Sequence, residues 1–74
     1  ALIQGNSPLQ AIPLFRQALE LRLKINGERD QLTADIYEGL SLAFYGIGDS
    51  KQYREYSNKA LDIYRELHRE TPPR

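Results

Sequence analysis

Tyr37-Glu38-Gly39-Leu40-Ser41-Leu42-Ala43-Phe44-Tyr45-Gly46-Ile47-Gly48-Asp49-Ser50 is the stretch on which the fold turns. Tyr37, Leu40 and Phe44 recur at spacings of three and four, with Ile36, Ala43 and Ile47 beside them. That periodicity predicts a helix over 33–47 with its aromatics turned inward. Asp30 or Thr33 caps its start. Gly39 in its middle costs about 1 kcal/mol relative to Ala, so it marks either close backbone packing or a tolerated weak spot. Gly48-Asp49-Ser50 makes a tight turn, and Asp49 with Gln52 reads as a capping box for the next segment.

Downstream, the run 51–69 has the cleanest periodicity in the chain. Tyr53, Tyr56, Ala60, Ile63, Tyr64 and Leu67 share one face. Glu55 and Lys59 form a favourable outer pair four residues apart, worth only about 0.3 kcal/mol. Thr71-Pro72-Pro73-Arg74 stops the helix, leaving 70–74 as a frayed tail. Upstream, the run 9–25 carries Ala11, Phe15, Ala18 and Arg22 on one stripe, and Leu14, Ala18, Leu21 and Ile25 on the next. Ile12, Leu19 and Leu23 form a third, so this helix has a wide apolar arc that touches neighbours on two sides. Ser7 serves as its N-cap, Pro8 suits its first position, and Asn26-Gly27 is its left-handed stop. Pro13 conflicts with the pattern: it predicts a kink, or a helix that starts one turn later. No strand signal competes, and the expected fold is all-α.

Composition narrows the function classes. Ten Lys and Arg balance ten Asp and Glu over 74 residues, so no net field draws the chain to nucleic acid or an anionic membrane. There is no Cys, which excludes a disulfide scaffold, a thiolate zinc site and a Cys nucleophile. The apolar runs are too short for a membrane span or a signal peptide. The chain opens on Ala1 and contains no Met, which reads as an excised fragment lacking its natural termini; a cytoplasmic setting is compatible with this composition.

Catalysis has little support. His68 is the lone histidine and has no ligand partner four residues away, so it reads as a surface residue or a helix cap beside Arg65, Arg69 and Arg74. Gly46-Ile47-Gly48 lacks the flanking strand of a dinucleotide site. Thr33, Ser41, Ser50 and Ser57 have no adjacent His–acid arrangement. Asp62 and Glu66 sit on outward faces. Most of the five Tyr and two Phe are spaced as core residues with no basic stripe beside them, which argues against base stacking. The expectation is a non-enzyme without cofactor or metal.

The first and last helices repeat each other. Gln17-Ala18-Leu19-Glu20-Leu21 overlays Lys59-Ala60-Leu61-Asp62-Ile63, and Ile25 overlays Leu67, at an offset of 42 residues. A period of that size implies a helical array whose units bury their apolar faces on one another. The chain resembles tetratricopeptide repeats. Tyr37, Leu40, Ser41 and Phe44 stand at that motif's first-helix positions, Gly48-Asp49 at its turn, and Ala60-Leu61 at the close of its second helix. Ala11, Phe15 and Ala18 fit the second helix of a preceding unit. The 42-residue spacing, with Ala18-Leu19-Glu20-Leu21-Arg22-Leu23-Lys24 before Asn26-Gly27-Glu28, is similar to the long subtype of kinesin light chains. Tyr53 departs from the motif's small residue and Ser57 from its aromatic, a size exchange four residues apart; Ser50 also replaces a frequent aromatic.

The resemblance implies an α-solenoid fragment of antiparallel helix-turn-helix repeats with three main helices. Residues 8–26 would be the second helix of one repeat, 30–69 one complete repeat, and Ala1-Leu2-Ile3-Gln4 the remnant of a helix before them. It also implies a scaffold that binds a protein or peptide partner on a concave face, with Asp35, Glu38, Leu42, Tyr45 and Gly46 facing the groove. Leu42 and Tyr45 do lie off the Tyr37/Leu40/Phe44 stripe, so they face either a partner or a neighbouring repeat. Asp35 and Glu38 either favour a basic ligand or form an ordinary solvated face. Two other readings stand beside this one: a self-association element that pairs through exposed end helices as a homo-oligomer, and the regulatory arm of a larger enzyme or receptor.

Overall fold

The computed structural model describes residues 8–69, which form α1 (Pro8–Ile25), α2 (Gln31–Gly46) and α3 (Ser50–Arg69). No strand occurs among the described residues, as the periodicity requires. The cap at Ser7, the remnant at residues 1–4 and the tail at 70–74 lie outside them.

Helix boundaries follow local chemistry. Asp30, in extended backbone, accepts hydrogen bonds from the Leu32 and Thr33 amides and starts α2 two residues before the expected position. Thr33 is therefore not the cap. It is fully buried, and its hydroxyl donates to the Gly27 carbonyl at 3.0 Å, tying α2 to the stop of α1. That stop works as the sequence suggests: Gly27 has φ +80°, a region that costs an L side chain dearly, and its amide returns to Arg22 and Leu23. α2 ends at Gly46, so Ile47 is its cap and is left exposed rather than in the core. The Asp49 carboxylate then accepts from the Gln52 amide at 3.1 Å and starts α3.

α1 runs unbroken from Pro8 through Pro13, so the delayed start does not occur. Pro13 sits early in the helix, where its missing N–H frees only the Leu9 carbonyl, and Pro8 pre-sets the first turn.

α2 is the middle of the structure, and both α1 and α3 pack against it. Ala34, Tyr37, Ala60 and Ile63 form the buried cluster between α2 and α3, with Leu19, Tyr56, Tyr64 and Leu67 packed around it. The Tyr56 ring stacks on Phe44 at 5.7 Å and on Tyr37 at 5.9 Å, geometries worth about 0.5–1.5 kcal/mol per pair beyond area burial. Lys59 sets its ammonium 5.7 Å above the Tyr37 ring instead of pairing with Glu55. Between α1 and α2 the fit depends on small residues. A Cβ built on Gly39 would stand 2.6 Å from the Phe15 ring, so Gly39 is a site of close packing and not a weak spot.

Candidate functional site

The buried arc of α2 leaves one face open. Thr33, Ala34, Tyr37, Leu40, Ser41, Ala43 and Phe44 are buried, whereas Asp35, Glu38, Leu42, Tyr45 and Gly46 are all exposed. Spacings of three and four put these five residues on a single stripe opposite the core. The structure thus brings together every residue that sequence reading put on the groove face.

Each end of the stripe has its own chemistry. At the N-terminal end, the Tyr64 hydroxyl of α3 donates to the carboxylates of both Asp35 and Glu38. This hydrogen bonding, with some desolvation, raises the Tyr64 pKa well above its ordinary value, so the hydroxyl remains a donor through the neutral range. At the C-terminal end, Leu42 and Tyr45 are 58% and 66% exposed. The Tyr45 ring lies 5.1 Å from that of Tyr53 in α3, tilted by 51°. Gly46 lies against α1, where an added Cβ would meet the Pro8 ring at 2.8 Å. The stripe is therefore a shallow track on α2, flanked by α1 and α3.

Tyr53 and Tyr64 belong to this surface although their spacing reads as core. Their polar ends carried the signal: a tyrosine at the edge of an apolar stripe keeps its hydroxyl wet or bonded. Tyr64 has such a partner in the two carboxylates one helix away, a proximity that periodicity along one helix does not reveal.

Two other sequence candidates resolve into surface chemistry. His68 is exposed in the last turn of α3. Glu66 accepts from Arg69 at 2.9 Å and faces Arg29 at 3.8 Å, and Asp62 lies 3.7 Å from Arg65. Among the described residues, no three metal-ligating side chains cluster and no helix is long and apolar enough to cross a membrane.

Comparison with known proteins supplies the family. The tetratricopeptide repeat profile matches residues 2–66. The chain is similar to a clustered mitochondria protein homolog of Candida albicans, at 33% identity over 57 residues, which is 77% of this chain. It spans only 4% of that relative's length. No solved structure matches. Three helices packed in sequence around a central one, a stripe of buried aromatics and a profile covering most of the residues agree: the chain belongs to the tetratricopeptide repeat family, whose members are typically non-catalytic scaffolds for protein–protein interaction.

Proposed function

We propose that the exposed stripe of α2 is the docking surface, and that it receives an extended peptide or a partner helix. The observation that carries this reading is the continuity of Asp35, Glu38, Leu42, Tyr45 and Gly46 on the open face of a helix whose other sides are packed. Leu42 and Tyr45 are the anchors, because exposed apolar and aromatic side chains supply most of the binding energy at such surfaces. Asp35 and Glu38, fixed by Tyr64, select a cationic side chain at the other end. In this reading residues 8–26 are the second helix of one repeat and residues 30–69 the next repeat, in the long 42-residue register of kinesin light chains. The equal spacing of the helix starts at Pro8 and Ser50 supports that register.

Panning a displayed peptide library against the chain tests the proposal. Selected peptides are expected to combine Lys or Arg with an aromatic or aliphatic residue. Leu42→Arg and Tyr45→Ala should each weaken them at least about tenfold, a loss of about 1.4 kcal/mol, with the circular dichroism spectrum unchanged. Unfolding by either substitution would make these residues core, and binders indifferent to both would put the site elsewhere.

Self-association is a second reading with an observation of its own. Leu14, Leu21 and Ile25 on the outer side of α1 are 66%, 57% and 62% exposed. A hollow of about 450 Å³ lined by Ala11, Leu14, Phe15 and Ala18 opens beside them. Pairing through this face would appear as a molar mass that rises with protein concentration.

A further inference from the structure

The junction between α1 and α2 carries a chemistry that the docking surface does not use. Asn26 is followed by Gly27. The amide nitrogen of the residue after an asparagine is the backbone nucleophile best placed to attack the side-chain carbonyl and close a cyclic imide. A side chain on that residue crowds the approach, and glycine has none. A Cβ built on Gly27 would meet nothing within 4 Å, so the space around it is open as well. Asn26 itself is exposed, which gives water access to its side chain.

Two contacts bear on the reacting atoms. The Arg22 guanidinium donates to Oδ1 of Asn26 at 2.6 Å. Negative charge gathers on that oxygen when Cγ becomes tetrahedral, and a cation already bonded there stabilises it. The Gly27 N–H is divided between the carbonyls of Arg22 and Leu23, each at 3.2 Å. Such long bonds are weak, and freeing this amide takes only the opening of the last turn of α1, not of the whole fold. Asn58 is the contrast. It lies inside α3, and the Lys59 amide that follows it belongs to the helix's own ladder.

We infer that Asn26 is a site of spontaneous deamidation in the folded chain, with Gly27 as the nucleophile and Arg22 polarising the amide. The Gly27 nitrogen loses its proton to solvent base and bonds to Cγ of Asn26. The Cγ–Nδ2 bond breaks, ammonia leaves, and the cyclic imide remains. Water then opens the ring at either carbonyl, giving aspartate or isoaspartate; nothing is oxidised or reduced. Aspartate places a second carboxylate beside Arg22, which already faces Asp30 at 3.6 Å, and sets negative charge at the C-terminal end of α1. Isoaspartate routes the backbone through the side chain and lengthens it by a methylene. That shifts the Gly27 amide from Arg22 and Leu23, and its carbonyl from the Thr33 hydroxyl that ties α2 to this stop. The joint that sets α1 against α2 is slackened.

Ageing the folded chain at mildly alkaline pH and body temperature, with peptide mapping and an isoaspartate assay, tests the inference. Isoaspartate should accumulate at position 26 while Asn58 keeps its amide, and in urea both should react. Gly27→Ala should slow the conversion at least about tenfold. Arg22→Met should slow it several-fold in the folded chain and leave the rate in urea unchanged. An Asn26 amide as durable as that of Asn58 in the folded chain overturns the inference. Conversion to aspartate without isoaspartate overturns it too, because direct hydrolysis leaves Gly27 out. Faster loss in Arg22→Met would show Arg22 to be a mere tether, and overturns the role given to it. The purified isoaspartyl form should melt at least about 4 °C below the fresh chain; an unchanged Tm contradicts the slackened joint.

Discussion

α1 and α3 carry the same apolar stripe in two different settings. Leu14, Ala18, Leu21 and Ile25 in α1 stand where Tyr56, Ala60, Ile63 and Leu67 stand in α3, 42 positions on. In α3 that stripe packs on α2, with Ala60 and Ile63 buried. In α1 it looks outward, and α1 has no fully buried residue at all. What differs is the neighbour and not the pattern. A repeat sequence specifies which face seeks a partner, while burial depends on whether the partner is there.

Truncating matched positions tests that difference, and here the largest effect is expected. Ile63→Ala removes a buried side chain from the cluster with Ala34, Tyr37 and Ala60, and should cost about 2–5 kcal/mol in urea unfolding. Leu21→Ala, at the same repeat position but more than half exposed, should change stability by less than about 0.5 kcal/mol. Comparable losses would mean that α1's stripe is covered in solution, by a second copy or otherwise.

The smallest expected effect sharpens the comparison at its edge. In α1 the repeat position of Tyr64 is Arg22, which holds a loop together; in α3 it is a hydroxyl that holds two carboxylates. The Tyr64 pKa is raised in the folded state, so its contribution is fully present below the ordinary tyrosine value of 10.0 and is lost as pH rises past it. Tyr64→Phe should change the urea midpoint little at pH 7, because it keeps the half-buried ring and removes only hydrogen bonds that lie at the exposed surface. The wild-type chain should lose stability from pH 9 to about 11 by more than the variant does. Parallel alkaline profiles would show that the Tyr64 contact does not persist in solution.

Much of this architecture was legible because it is written at short range. The three helices, the Asn26-Gly27 stop, the Asp49 cap and the buried face of α2 all follow from spacings of two to four residues. The choice between Asp30 and Thr33 as cap was not, because it depends on Thr33 reaching the Gly27 carbonyl six residues back. Gly39 read equally well as a weak spot, since the Phe15 ring that needs its missing Cβ comes from another helix. The five positions expected to face a groove came from family resemblance. Their common exposure on α2 was in reach of helical periodicity, but the part played by Tyr53 and Tyr64 was not, because both cross from α3.

A double-mutant cycle between Gly39 and Phe15 tests the central claim most directly, namely that α1 packs on α2 as one solenoid helix on the next. Gly39→Ala adds a methyl group where the Phe15 ring sits, and should destabilise the native chain. In a Phe15→Ala background the ring is gone, and the same substitution should stabilise by about 0.5–1 kcal/mol through helix propensity alone. That reversal of sign is the predicted result. The same sign and size in both backgrounds would mean that α1 does not lie on α2, and would contradict the account.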